Sequence, residues 1–80
     1  MNKQTRMKHI LDGMQKALNM TRQGEDVLEL EYIAEDTGEE YVRIAFRDPY
    51  EDIRIGFERM ICVTASSELA IMEQVIKSLK

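Results

Sequence analysis

The chain has 80 residues, of which 44% are hydrophobic and 32% charged, and its formal net charge is −4. This length allows one core and excludes two, so we expect a single α+β domain over residues 1–80. The apolar fraction is too high for a disordered chain, and no apolar run approaches the roughly 18 residues that span a bilayer.

The start of the chain and its single cysteine predict the compartment. Cys62 has no second cysteine to pair with, which favours a reducing environment. Met1–Arg6 leads into an amphipathic pattern rather than the apolar stretch of a signal peptide. We therefore expect a cytoplasmic protein with no membrane partner.

A stripe of mostly apolar residues at steps of three and four predicts a first, amphipathic helix. The stripe consists of Met7, Ile10, Leu11, Met14, Ala17, Leu18 and Thr21. Asn2 or Thr5 is a suitable N-cap. Gly24 is the predicted stop, because glycine tolerates a positive φ.

Two strands follow, Val27–Ala34 and Tyr41–Arg47, in which apolar and polar side chains alternate. Asp36-Thr37-Gly38 between them predicts a three-residue hairpin loop with Gly38 in the left-handed conformation. A loop of this length sets the register of the hairpin, because one residue more or less would turn every side chain to the other face.

That register makes two cross-strand pairs on the outer face of the sheet. Glu31 is predicted opposite Arg43, and Ile33 opposite Tyr41. The even-numbered residues of both strands then share the inner face.

Asp48-Pro49-Tyr50-Glu51 predicts a turn, because proline fixes φ and aspartate can bond back to the backbone. The odd-numbered apolar positions of Ile53–Val63 predict one long third strand, interrupted on its inner face by Arg59. Gly56 marks a bulge or bend in this strand.

The last segment predicts a second helix with Ser66 or Ser67 as N-cap and Glu68 in its first turn. Its apolar residues are Leu69, Ile71, Met72, Val75, Ile76 and Leu79. The predicted fold is therefore a two-layer α-β-β-β-α arrangement, a three-stranded antiparallel meander with both helices on one face. The other face is left for water or a partner.

Catalytic chemistry is not expected. His9, the single histidine, lies on a different element from Cys62, and a thiol–imidazole pair would need the two to meet, so we expect Cys62 to be a small packing residue. Asp12 is three residues from His9, but a metal site usually takes three or four protein ligands. Paired carboxylates act as acid and base only in a cleft that separates their pKa values, whereas the acids here flank turns and strand edges. We expect no enzyme activity, cofactor or metal.

The acids are concentrated in the middle of the chain, where residues 25–60 carry twelve acids against four bases. Such a surface attracts and orients a basic partner. The predicted partner-binding residues are Glu35, Asp36, Glu39, Glu40, Glu51 and Asp52. The alternative is an acidic rim that only keeps the protein soluble.

The outer sheet face retains apolar residues among its charges, which is typical of a contact surface. The apolar residues of this face are Val27, Ile33, Tyr41, Ala45, Met60 and Cys62. We expect an interface built on Ile33, Tyr41, Ala45 and Met60. Two copies related by a twofold axis would be its simplest occupants.

The order of elements matches that of the double-stranded RNA-binding domain, but Ser66-Ser67-Glu68-Leu69 has no base where that family has its lysine cluster. Nucleic acid is therefore an unexpected partner, although a basic first helix keeps it as an alternative. The bases of that segment are Lys3, Arg6, Lys8, Lys16 and Arg22.

In size, charge and element order the chain resembles phage anti-CRISPR and anti-restriction inhibitors. This resemblance implies carboxylates that occupy a basic DNA channel. We therefore expect a non-enzymatic protein-binding module, an inhibitor or adaptor, directed at a nucleic-acid-handling protein. The alternative is a structural or assembly subunit, or a homodimer, with no inhibitory role.

Overall fold

The computed structural model describes residues 2–21, 26–48 and 51–79, without the side chains of residues 48 and 51–55. Its elements in chain order are α1 (Lys3–Leu18), β1 (Val27–Ala34), β2 (Glu40–Asp48), β3 (Glu51–Cys62) and α2 (Glu68–Ser78). The strands form one antiparallel sheet in the order β1-β2-β3. The predicted α+β class and element order are confirmed.

The helix starts agree with the capping signals. Asn2 caps α1 by accepting a hydrogen bond from the Thr5 amide at 2.9 Å, and Ser67 caps α2 through the Ala70 amide at 3.2 Å. These bonds satisfy amides that have no partner within the helix.

The first helix ends earlier than its stripe predicts. α1 stops at Leu18, because the next turn tightens: the Thr21 amide and hydroxyl both donate to the Leu18 carbonyl, each at 2.8 Å. This satisfies a carbonyl that would otherwise lack a partner at the helix end. The predicted stop, Gly24, lies outside the described residues.

The hairpin between β1 and β2 has the predicted loop and register. Glu31 pairs with Arg43 and Ile33 with Tyr41, and Gly38 has a φ of 93°. A residue with a Cβ is strained in this conformation, so the loop chemistry and the strand register support each other.

Replacing Gly38 with alanine is expected to destabilise the protein by about 1 to 2 kcal/mol, through backbone strain alone. A Cβ at Gly38 would meet nothing within 4 Å, and the same holds at Gly13 in the exposed part of α1. The matched substitution Gly13→Ala is therefore expected to stabilise by about 0.5 to 1 kcal/mol. Urea unfolding measures both changes, and effects of the same sign would contradict the left-handed assignment at Gly38.

The third strand is continuous, as predicted, and pairs with β2 from end to end. The register passes from Phe46 opposite Phe57 to Arg47 opposite Ile55, so Gly56 is the extra residue of a bulge. The predicted turn Asp48-Pro49-Tyr50-Glu51 includes Pro49 and Tyr50, which lie outside the described residues.

Both helices pack on the same face of the sheet. One buried cluster joins side chains from α1, from α2 and from one side of the sheet. Its members are Met7, Leu11, Val27, Leu30, Val42, Ile44, Val63, Ile71 and Val75. Burial of each large side chain contributes about 2 kcal/mol, so this cluster holds the two layers together.

The first residue of β1 lies on the opposite face of the sheet from the one predicted. Strict alternation places Val27 on the outer face, but it is 2% exposed and belongs to the core. The register shifts between Val27 and Glu29, so Val27 lies opposite Phe46 on the helix-covered side. Leu28 is the additional residue of a β-bulge, which reverses the facing of everything before it. The Gln15 amide of α1 donates to the Leu28 carbonyl.

Arg59 faces the helix layer without being buried. Its guanidinium lies 5.9 Å from the centre of the Phe46 ring, and its Nη1 donates to the Ser78 carbonyl at 2.5 Å. A cation is favourable at this place because the C-terminal end of a helix carries partial negative charge. Phe57, on the same side, stacks on Phe46 with ring centres 4.4 Å apart and remains 55% exposed.

Candidate functional site

The face of the sheet opposite the helices, called here the open face, is organised in rows across the three strands. One row joins Ile33, Tyr41 and Cys62, the next joins Glu31, Arg43 and Met60, and the third joins Glu29, Ala45 and Glu58. The first row is mainly apolar and lies nearest to the β1–β2 turn. Charged side chains occupy the centre of the face.

Arg43 organises this charged centre. Its Nε, Nη1 and Nη2 contact carboxylates of Glu31, Glu58 and Glu29 at 3.0, 2.9 and 2.7 Å. The Arg43 side chain is only 17% exposed, while its three partners are about half exposed. Hydrogen bonds to Glu31 and then Glu29 raise the pKa of Arg43. One guanidinium thus fixes three carboxylates from both neighbouring strands and leaves the cluster negative.

The apolar end of the open face is continuous with the acidic turn. The Tyr41 hydroxyl donates to a Glu39 carboxylate oxygen at 2.6 Å, and this bond is the main reason that the pKa of Tyr41 is raised. Met60 is 52% exposed, and Ile33 is partly buried. The predicted acidic rim and the predicted interface therefore meet in one surface.

Ala45 does not contribute accessible surface to this face. It was included in the predicted interface, but it is 0% exposed. In the register it lies between Glu29 and Glu58, and both of these longer side chains reach towards Arg43. The salt-bridged side chains therefore cover the alanine methyl group.

Glu40 is separate from the rest of the predicted acidic rim. Its carboxylate contacts the Lys3 ammonium at 2.7 Å, accepts a hydrogen bond from the Tyr32 hydroxyl and accepts another from the Ala65 amide at 2.8 Å. Lys3 first, then Tyr32 and Ala65, lower the pKa of Glu40 to about 2. This carboxylate therefore connects α1, β1 and the loop after β3, and its oxygens are already bonded to groups of the chain itself.

The same contacts act on Tyr32. Burial first, and then the hydrogen bond to Glu40, raise the pKa of its hydroxyl to about 12. Lys3 also donates to the Ser66 carbonyl at 2.6 Å. The hub defined by Lys3, Tyr32, Glu40 and Ala65 is therefore a structural junction on the helix-covered side of the sheet.

The remaining predicted acids divide into two groups. Glu35, Asp36 and Glu39 are exposed in the β1–β2 turn beside the open face. The side chains of Glu51 and Asp52 lie outside the described residues. The part of the predicted rim that the structure places beside the apolar patch is therefore the first turn.

A groove of about 670 Å³ runs between α1 and β1, and sequence reasoning did not find it. Its walls are formed by exposed residues of α1 and by the middle of β1. The lining includes Lys8, His9, Asp12, Glu29, Glu31 and Tyr32. The order of elements could have indicated this groove, because the first strand of a meander is an edge strand that the preceding helix covers only in part.

The two residues considered for chemistry stay apart. His9 lines the groove of α1 and β1, whereas Cys62 is exposed on the open face, 3.5 Å from the Thr64 hydroxyl. Hydrogen bonds from Thr64 lower the pKa of the Cys62 thiol. Within residues 2–21, 26–48 and 51–79, no three histidine, cysteine or acidic side chains are grouped as metal ligands would be.

Comparison with protein-family models, with curated proteins and with solved structures finds no match for this chain. In the described part of the chain, neither helix has the length and hydropathy required to cross a membrane.

Proposed function

We propose that this chain is a non-enzymatic protein-binding module whose contact surface is the open face together with the β1–β2 turn. The observation that carries the proposal is the hydrogen bond from Tyr41 to Glu39. It joins an apolar patch containing Met60 to a group of exposed carboxylates. An apolar centre with a polar surround is the usual composition of a protein contact surface.

Charge complementarity favours a basic partner. The open face and the turn carry more carboxylates than guanidinium groups, even with Arg43 at their centre. The acids of this surface are Glu29, Glu31, Glu35, Asp36, Glu39 and Glu58. Proteins that hold nucleic acid carry lysine and arginine surfaces that neutralise phosphates. The proposed partner is therefore a nucleic-acid-handling protein that this module inhibits or recruits.

Two observations favour a heterologous partner over the alternatives. In a homodimer built on the open face, the carboxylates around Arg43 of both copies would face each other, and opposed like charges weaken association. Binding of nucleic acid through α1 is disfavoured because Lys3 and Arg6 make ion pairs with Glu40 and Glu68 at 2.7 and 2.9 Å.

The test is capture of proteins from the native host by the immobilised full chain, followed by mass spectrometry and titration of the purified captured protein. We expect this protein to be basic. Met60→Asp should weaken its binding more than tenfold, because an interface centre tolerates an unpaired charge poorly. The triple variant Glu35→Gln, Asp36→Asn, Glu39→Gln should weaken it more at low salt than at high salt.

Glu73→Gln is the matched control, since Glu73 is exposed on α2 and far from the turn in sequence. It removes one charge and is expected to leave binding unchanged. A captured protein that binds all the variants equally, at every salt concentration, would show that the open face is not the contact surface.

A further inference from the structure

The free edge of β1 is a second surface of this protein, which adjoins the open face and shares Glu29 and Glu31 with it. β1 pairs with β2 on one side, and among the residues that the structure describes no strand pairs with its other side. An edge strand presents backbone amides and carbonyls that can accept a further strand. The backbone groups that face outwards, and the charges beside them, determine which segment this edge can bind.

The hydrogen bonds of Glu40 identify the backbone groups of β1 that face outwards. Its carbonyl accepts from the Val63 amide and its amide donates to the Thr64 hydroxyl, so both groups point away from β1. Its partner across the hairpin, Ala34, is therefore a non-hydrogen-bonded position. Because such positions alternate in antiparallel pairs, the backbone groups of Leu30, Tyr32 and Ala34 face outwards.

One end of this edge is already closed. The Leu28 carbonyl accepts the side-chain amide of Gln15, which blocks strand addition at the bulge. From Leu30 to Tyr32 the edge borders the groove of about 670 Å³ beside α1. This volume is in the range of sites that hold short peptides and ligands.

The charges along the groove select the occupant. Asp12 on α1 and Glu29 and Glu31 on β1 contribute three carboxylates. The opposing charges are the ammonium of Lys8 and the guanidinium of Arg43, which pairs with both glutamates, so the surroundings of the groove remain negative. Antiparallel pairing of β1 with a second copy, in the registers that overlap most of the strand, would place at least one of these glutamates opposite a glutamate, which is destabilising. A strand with lysine or arginine at alternate positions would instead place bases opposite Glu29 and Glu31.

We propose that the free edge of β1, from Leu30 to Ala34, binds an extended basic segment of a partner protein as a fourth strand. Side chains of that segment would alternate between Glu29 and Glu31 on one face and the groove beside α1 on the other. Its backbone would bond to the outward-facing amides and carbonyls of β1.

The test uses the full chain labelled with ¹⁵N and a seven-residue peptide of alternating lysine and valine. Leu30 is only 5% exposed, so the readout is taken at Tyr32 and Ala34, which are more accessible. Amide hydrogen exchange at these two residues is expected to slow about tenfold or more at saturation. Exchange at Glu31 and Ile33, whose amides already bond to β2, should change little. Absence of protection at the amides of Tyr32 and Ala34 would overturn the proposal.

Two matched peptides separate strand addition from simple charge attraction. A glutamate–valine peptide of equal length should not bind. A lysine–valine peptide methylated at the valine nitrogens keeps its charge but cannot donate to β1, and it should also lose binding. Equal binding of the methylated peptide would show that the contact is electrostatic and that no strand is added.

Variants keep this test independent of the proposed function. Asp12→Lys, at an exposed position of α1, should weaken lysine–valine peptide binding about fivefold or more by reversing one groove charge. Glu73→Lys on α2 is its control. Met60→Asp alters the open face on β3, two strands away from the edge, and adds a negative charge, so it should not weaken binding of the basic peptide. Failure of either surface can therefore be recognised separately.

Discussion

Glu40→Gln is expected to lower the free energy of unfolding at neutral pH by about 2 kcal/mol. The variant removes the charge that holds Lys3 and weakens the bonds from Tyr32 and Ala65. The effect is smaller than for a fully buried pair because the Lys3 and Glu40 side chains are 30% and 14% exposed. Urea unfolding of both proteins at several pH values measures it.

The pH dependence has a definite sign. The pKa of Glu40 is about 2 in the folded protein, against an ordinary value of 4.5. As the pH falls, the unfolded state therefore binds this proton first. The stabilisation from Glu40 is complete well above pH 4.5 and is lost as the pH falls towards 2. The difference between wild type and Glu40→Gln should shrink over that interval.

Two controls define the origin of this effect. Glu35→Gln removes a carboxylate from the exposed turn and is expected to change stability by less than about 0.5 kcal/mol. A double-mutant cycle with Lys3→Met should give a coupling of about 1 kcal/mol between Lys3 and Glu40. A difference between Glu40→Gln and wild type that stays constant from pH 7 to about pH 2 would contradict the assigned pKa.

Arg43→Ala is the second large effect, with an expected loss of about 2 kcal/mol at low salt. Removal of the guanidinium leaves Glu29, Glu31 and Glu58 close together without a counter-charge. Salt screens this repulsion and also weakens the wild-type pairs, so the loss should decrease as the salt concentration rises. Thermal or urea unfolding at two ionic strengths measures the loss of stability and its decrease with salt.

A second substitution distinguishes repulsion from lost packing. Adding Glu58→Gln to Arg43→Ala should restore part of the stability, because it removes one of the opposed charges. Arg47→Ala, an exposed arginine on the same strand, should have little effect. If Arg43→Ala and Arg47→Ala are equally mild, the three-carboxylate cluster does not stabilise the sheet.

The Arg43 cluster and the Glu40 hub also affect binding of a partner. The Arg43 cluster fixes three carboxylates before any partner arrives, and a surface that is ordered in advance loses less conformational entropy on association. The Glu40 hub holds the turn and the loop after β3 in place behind the open face. A variant that destabilises either junction should therefore be checked for folding before its binding is interpreted.

Much of the hairpin could be predicted from the sequence, because its determinants are local. Asp36-Thr37-Gly38 allows few backbone conformations, and a loop of fixed length leaves one register that keeps apolar residues on one side. The contacts of Arg43 with Glu31 and the neighbouring positions of Ile33 and Tyr41 follow from that register. The capping roles of Asn2 and Ser67 are local in the same way.

The bulge at Leu28 could not be predicted in this way. A strict alternation fits Val27–Ala34 equally well with or without an additional residue. The Gln15 side chain that meets the Leu28 carbonyl comes from another element, so nothing in the strand itself indicates it. The sidedness of Val27 therefore depends on how α1 packs against β1.

In the acidic rim, too, the local sequence did not predict which carboxylates are available, and the tertiary structure decided it. Glu39 and Glu40 are adjacent and chemically identical, and their sequence context treats them alike. The strand pleat directs Glu39 towards Tyr41 on the open face and Glu40 towards Lys3 and Tyr32 beneath it. Only one of these two carboxylates remains available to a partner.

By itself the sequence determined the order of elements, the loop between β1 and β2, the pairing of those strands and the open outer face. These features depend on periodicity and turn chemistry, which act over a few residues. The tertiary structure decided the partners of each charge, the burial of Ala45, the bulge at Leu28 and the groove beside α1. Those features arise where side chains from distant segments meet, and the energies of such contacts depend on distance and burial rather than on position along the chain.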